Sequence, residues 1–346
     1  MLFTASIPKY FLMRIFKISL ATTVVLLLAA AAHLYKGDLS AEYVDKKYSN
    51  DESRFLTMGN GARVHYRDEG NPSNPTIVLV HGSNASLHTW EPWVEIFKTS
   101  YRVVSMDLPA HGLTGATPDR DYSSKAQINT VEAVVSHLGL ESFVLGGNSM
   151  GGGVTWRYTL QHPKKVQAML LIDASGLPQF RRKSIANERN SKKTGNVQEK
   201  KGPLFFALMR KAWFRSTARY LDPYFLAVQG AKSAYNNSPV VTKELINRYY
   251  ELNLREGSRE ATISRFGGFG VRSQEPTDVN ALGMPTLIMW GLEDTIIPVR
   301  VADQFKSALA NTTLIVYAGV GHIPMEEIPE RSAADVVSFL ETINFR

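Results

Sequence analysis

Ser149, Asp294 and His322 are the three residues whose types and positions best suit covalent hydrolytic chemistry. Ser149 sits at the centre of Gly147-Asn148-Ser149-Met150-Gly151, the chain's one G-x-S-x-G. The pentapeptide follows the apolar run FVLGG and leads into a helical pattern. A serine raised on a sharp strand-to-helix turn needs neighbours two before and two after it with almost no side chain, which Gly147 and Gly151 supply. The turn exposes the hydroxyl and aims the next amide, that of Met150, at the place where negative charge would develop. A serine nucleophile also needs a base, and the base needs an orienting acid. Where G-x-S-x-G joins a strand to a helix, these follow in the order Ser, Asp or Glu, His. Asp294 lies just beyond the strand-like TLIMW, in GLEDTIIP, and His322 just beyond TLIVY, in AGVGHIPMEE. Of eight histidines, His322 alone lies downstream of Asp294. Asp173, at the end of an earlier strand-like run, is a competing acid.

A second donor for the oxyanion is expected from His81-Gly82-Ser83-Asn84, at the end of TIVLV. The amide of Ser83 would act beside that of Met150, with His81 fixing the loop by hydrogen bonding. Asp107 and His111 follow another strand-like run, and bracing the turn is the expected role of Asp107. The chain has no H-E-x-x-H, no cysteine, no G-x-x-x-x-G-K and no dinucleotide fingerprint. No metal and no cofactor are therefore expected.

These residues must be positioned by a sheet. Strands are expected over residues 54–57, 62–66, 76–80, 101–106, 143–145, 168–172, 286–290 and 313–317. Most are short β-branched or aliphatic runs without alternation, as in parallel strands buried on both faces. Helical patterns lie between them at 89–97, 124–138, 152–161, 299–309 and 329–344. Their alternation predicts an α/β fold with a mostly parallel, doubly wound, eight-stranded sheet. Residues 54–175 and 279–346 form the two parts of that core. Residues 176–278 show no strand-like run and read as an inserted helical cap, rich in aromatics.

The termini and charge complete the outline. Residues 1–36 carry cations and then an apolar run over 18–35, which suggests a membrane anchor; a secretory signal cleaved near Ala32 is the alternative. Eighteen helical residues span about 27 Å, just under the ~30 Å hydrocarbon core. The charge distribution favours a catalytic body outside the cytoplasm. Residues 37–53 are polar and read as a tether. The net charge is +7, but residues 181–201 alone hold eight Lys or Arg against two Glu. This local excess argues against a nucleic-acid binder and leaves an anionic membrane surface as a partner of the cap.

HGSNASLHTW, DLPAHGLTG, GGNSMGGGV, LIDASG, WGLEDTIIP and GVGHIPMEE together resemble the α/β-hydrolase superfamily, across residues 55–346. The chain is most similar there to exported or membrane-anchored bacterial lipases and esterases, and to monoacylglycerol lipases. The resemblance implies an ester or lipid substrate and a Ser149–His322–Asp294 triad without cofactor. GNSMGG also recurs in hydrolases that cleave carbon–carbon bonds of aromatic ring-fission products. A ligand-binding protein with a retained triad is a third expectation.

Overall fold

The computed structural model describes residues 9–177, 211–267 and 278–345. Its centre is an eight-stranded sheet: β1 (Ser53–Thr57), β2 (Arg63–Glu69), β3 (Thr76–Val80), β4 (Arg102–Met106), β5 (Phe143–Asn148), β6 (Val166–Ile172), β7 (Thr286–Gly291) and β8 (Thr312–Tyr317). The spatial order is β1-β2-β4-β3-β5-β6-β7-β8. β2 runs antiparallel to both β1 and β4, and the remaining pairs are parallel. The strand order reverses beside β3, where β5 joins. Crevices form at the carboxyl ends of strands at such a reversal.

Burial on both faces explains the missing alternation. Val78 and Val80 of β3 join the core that contains Leu145, Trp156 and Trp290. Ile77 and Leu79 enter the opposite core, with Trp93, Val144, Leu170 and Phe339. Each strand residue is thus apolar whichever way it points. β5 runs three residues past the expected end, because Gly146, Gly147 and Asn148 still pair with β6. β2 likewise runs on to Glu69. Its polar end is held by a two-pronged bond from Arg102 to Asp68, at 2.8 and 2.7 Å, and by Arg67 on Glu91.

Helices α1 (Lys9–Leu34), α2 (Ala41–Tyr48), α3 (Glu91–Phe97), α4 (Ser124–His137) and α5 (Met150–Gln161) precede the insertion. Within it lie α6 (Ala212–Ala218), α7 (Tyr224–Ala234), α8 (Lys243–Asn253) and α9 (Ser258–Gly267). After it come α10 (Arg300–Ala308), α11 (Pro324–Glu327) and α12 (Pro329–Thr342). The basic stretch 181–201 lies outside the described residues. Among the described residues no helix is long and apolar enough to cross a membrane. The anchor expected over 18–35 therefore rests on the sequence, although α1 does form there.

Residues 37–53 are not a tether. Ser40 caps α2, its hydroxyl accepting from the Tyr43 amide at 3.2 Å, and Val44 is fully buried. Asp45 pairs with Arg255 and Arg63, and Lys47 with Glu251 at 2.6 Å. The segment is a strap across the core and cap. Its polar composition resembles a linker because its partners are the charged residues of the cap, far away in sequence.

His88 fastens the end of this strap. One ring nitrogen meets the Tyr48 carbonyl oxygen at 2.8 Å and the other the Ser86 hydroxyl at 2.9 Å. Burial lowers the pKa of His88 to about 4, so it is folded in the neutral form. The unfolded chain binds this proton near pH 6.5 and the folded chain near 4. Stability is therefore full above pH 6.5 and falls as the pH drops toward 4, by up to about 3 kcal/mol from this residue. His88→Gln should flatten the decline in melting temperature between pH 6.5 and 4; an unchanged slope would contradict the assignment.

Candidate active site

Ser149 lies between β5 and α5 at φ 54°, ψ −117°, a conformation an L-residue adopts only under strain. The bend survives because its surroundings leave no alternative. A Cβ on Gly147 would collide with the backbone of Gly151, and one on Gly151 with the carbonyl oxygen of Val80. The Ser149 amide donates to the Ile172 carbonyl at 3.0 Å, and its carbonyl accepts from the Ser175 amide at 2.8 Å. Both ties fasten the turn to the end of β6.

The expected partners meet. His322 Nδ1 and Asp294 Oδ2 are 2.6 Å apart and buried. The other oxygen of Asp294 accepts from the amides of Ile296 and Ile297, at 2.7 and 3.0 Å. These bonds fix the carboxylate, and the carboxylate fixes the ring so that Nε2 is left for another partner. His322 and Ser149 both line one cavity of about 260 Å³.

Asp173 stands beside this pair as a different kind of acid. Its Oδ1 accepts from the Gly291 amide at 3.0 Å, and its Oδ2 has no partner among the described residues. Burial, then the negative charge of Asp294, pushes its carboxyl well above the usual range. That shift opposes the charge Asp173 would need in order to balance a histidinium. Asp173, Asp294 and His322 are also close enough to enclose a metal ion. In the structure two of these groups, His322 Nδ1 and Asp294 Oδ2, are hydrogen-bonded to each other.

The loop after β3 comes against Ser149. A Cβ on Gly82 would lie 3.1 Å from that of Ser149 and 2.8 Å from the Asn148 side-chain oxygen. His81 holds the loop as expected. Its Nε2 accepts from the Leu108 amide at 3.0 Å, which leaves Nδ1–H to donate to the Gly82 carbonyl at 2.7 Å. Burial lowers its pKa and keeps this neutral tautomer. Ser83 lines the cavity next to Ser149. Met150 opens α5, and amides in a first helical turn have no intrahelical acceptor and carry partial positive charge. Asp107 braces the turn, accepting from the amides of Leu87 and Leu113 at 2.7 and 2.8 Å.

Three contributors were not legible in the sequence. The Asn148 side-chain amide donates to the His322 carbonyl at 3.0 Å, joining the serine turn to the histidine loop. Glu327 accepts from the amides of Gly321 and Ile323 on either side of His322. Arg265, buried in α9 of the cap, donates to Ser83 Oγ at 2.7 Å and Asn84 Oδ1 at 3.3 Å, and contacts Met150 Sδ at 3.3 Å. Burial lowers its pKa to about 10, so it remains a cation behind the loop at neutral pH. No motif marks it, because it sits on a cap helix rather than at a strand end.

A second Ser–His–Asp grouping exists. His65 bridges Asp107 at 2.7 Å and Ser53 Oγ at 2.9 Å. Ser53 opens β1 away from the cavity, and its hydroxyl oxygen accepts from the Asn50 amide at 3.1 Å. Without a strained turn beside an amide-lined cavity, this grouping ties β1 to the core.

The profile of the alpha/beta hydrolase fold family matches residues 75–329. The chain belongs to that family. It is 23% identical over 299 residues to Lipase 1 of Psychrobacter immobilis, covering 85% of this chain and 86% of that protein. It is 25% identical over 310 residues to a 2-hydroxy-6-oxononadienedioate/2-hydroxy-6-oxononatrienedioate hydrolase of Klebsiella pneumoniae, covering 83% and 95%. The crystal structure of a membrane phospholipase A superposes with a TM-score of 0.63 at 20% identity, covering 98% of this chain and 99% of that one. The chain is thus a hydrolase of this fold, with lipases among its relatives.

If Asp294 is the orienting acid, Asp294→Asn should cut kcat about 10⁴-fold by misdirecting the ring tautomer. Asp173→Asn keeps an acceptor for the Gly291 amide and should stay within about tenfold of the parent. A larger loss for Asp173→Asn at equal thermal stability would move the acid to the end of β6.

Proposed function

We propose that the protein is a serine hydrolase of carboxylic esters, of the lipase or esterase type, working through an acyl-enzyme on Ser149. The observation that carries this reading is the strained Ser149 facing one cavity with His322, whose ring is held by Asp294. His322 takes the proton of Ser149 as its oxygen attacks the ester carbonyl. Asp294 holds the ring and balances the charge it gains. The amides of Ser83 and Met150 receive the oxyanion; one such donor is worth about 3 kcal/mol in the transition state. His322 then passes its proton to the leaving alcohol, and water repeats the sequence on the acyl group. The remaining wall suits an acyl chain: Phe214, Leu226, Ala227, Ile263 and Ile296 are among its residues.

Hydrolysis of a carbon–carbon bond is the second reading, supported by the similarity to the Klebsiella pneumoniae enzyme, which by its name acts on a dicarboxylate. The cavity favours esters. Among the described residues of its wall, Arg259 is the one arginine or lysine, and Asp38 already holds it at 2.6 Å. A dicarboxylate would need cations there.

The full chain should hydrolyse p-nitrophenyl esters and turn over a vinylogous diketone poorly. Ser149→Ala should reduce ester turnover about 10⁴-fold or more without loss of fold, and should abolish labelling by a fluorophosphonate. Activity of the alanine variant within tenfold of the parent would refute the nucleophile. Labelling of Ser149 without ester turnover would instead favour a binding protein with a retained triad.

Attachment to a membrane through residues 1–36, with the catalytic body outside the cytoplasm, belongs to the same proposal. α1 presents exposed Ile18, Leu20, Val25 and Leu26 and no acidic residue. Recovery with membranes after a high-salt wash supports it, whereas a soluble product trimmed near Ala32 would establish a cleaved signal.

A further inference from the structure

The cap carries large aromatic side chains on its exposed side as well as apolar ones toward the cavity. In α6, Phe214 and Ala218 line the cavity while Trp213 is 65% exposed. At α7, Leu226 and Ala227 line it while Phe225 is 67% exposed; Tyr220, between the helices, is 50% exposed. A helix with one buried stripe normally turns polar groups to water. Here three large aromatics within thirteen residues stand among the exposed groups, and exposed aromatics in such number mark a contact surface. Cations accompany them: residues 211–234 hold Lys211, Arg215, Arg219 and Lys232 against Asp222 alone.

The same surface is stitched to the end of α1. The Lys36 amide donates to the Tyr220 carbonyl at 3.0 Å, and the Asp222 amide to the Leu34 carbonyl at 2.7 Å. Tyr35 and Leu221 form an antiparallel bridge between these bonds. Further along, the Leu39 amide donates to the Leu254 carbonyl at 2.8 Å, and Asp38 grips Arg259. Exposed Leu34 and Tyr35 are thereby set beside Tyr220, and the apolar run of α1 continues into the aromatic face of the cap.

We propose that this outer face, centred on Trp213, Tyr220 and Phe225, rests in the interface of a phospholipid bilayer, so that the substrate enters the cavity from lipid rather than from water. Aromatic side chains with flanking cations fit the headgroup boundary, where the ring is half in lipid and the cation meets phosphate. Continuity with α1 selects this occupant. A two-fold pairing with a second copy would bring the cations of one face toward those of the other, while anionic lipid attracts them. The proposal rests on the ester-hydrolase reading for its substrate but not for its surface.

The chain has five tryptophans, and Trp90, Trp93, Trp156 and Trp290 are fully buried, leaving Trp213 as the exposed one. The full-length protein is reconstituted into vesicles of phosphatidylcholine and phosphatidylglycerol, with or without bromine on the acyl chains. Brominated lipid should quench emission in the parent and in Ser149→Ala alike, and Trp213→Phe should remove the quenched component. This arm needs no catalysis, so it is independent of the assigned reaction. In the second arm, Trp213→Ser with Phe225→Ser should slow hydrolysis of a vesicle-borne ester about tenfold and leave a soluble short ester within about twofold. Equal quenching with and without Trp213, or none in either, would overturn the proposal. So would emission that ignores bromine and changes with protein concentration, which would assign the face to a second copy.

Discussion

The backbone of Ser149 is held in a conformation that costs of order 1–3 kcal/mol, and the rest of the site is arranged around keeping it there. The strain is sustained by close approach. β5 and α5 meet at Gly147 and Gly151, the carbonyl of Val80 fills the space a side chain would take, and two hydrogen bonds tie Ser149 to the end of β6. Sheet order then matters for chemistry. β3 and β5 are neighbours, so the loop carrying Gly82 and Ser83 must lie against the serine. β7 and β8 are neighbours on the far side, so Asp294 and His322 leave adjacent strand ends and meet at 2.6 Å.

Two carboxylic acids close to one histidine need not share a task. Asp294 is surrounded by amides that favour its charge, and Asp173 is buried beside a negative neighbour that opposes its own. Burial beside a like charge is what sets Asp173 apart from its neighbour. The cap is tied to both halves of the site. Arg265 reaches the Ser83 loop, and Arg248 with Tyr235 and Tyr249 holds Glu326, four residues beyond His322. The His322 amide also donates to the carbonyl of Ala234 at the end of α7. The end of α7, together with α8 and α9, is therefore tied to the loops around the cavity as well as covering it.

What could be read from the sequence was whatever is local. A G-x-S-x-G between a strand and a helix, and polar residues just beyond apolar runs, mark Ser149, Asp294 and His322 because strand ends are short-range signals. The parallel sheet was legible because burial on both faces removes alternation from β3 to β7. Contacts that depend on distant partners were not legible. The strap over residues 37–53 looks like a linker until Asp45 meets Arg255 and Lys47 meets Glu251. Arg265 and Asn148 act through hydrogen bonds spanning 182 and 174 residues of chain. β5 was read short because glycine ordinarily weakens a strand, whereas here two glycines pair fully with β6 on the way to the turn.

The central claim is that Ser149 becomes covalently acylated. Rapid quenching in acid during turnover of a p-nitrophenyl ester, followed by mass spectrometry, observes that intermediate directly. The account predicts a gain equal to one acyl group, confined to the peptide containing Ser149 and absent from Ser149→Ala. It also predicts a burst of nitrophenol matched to the enzyme concentration if deacylation is the slower step. Acylation of any other residue, or full turnover by Ser149→Ala, would contradict it.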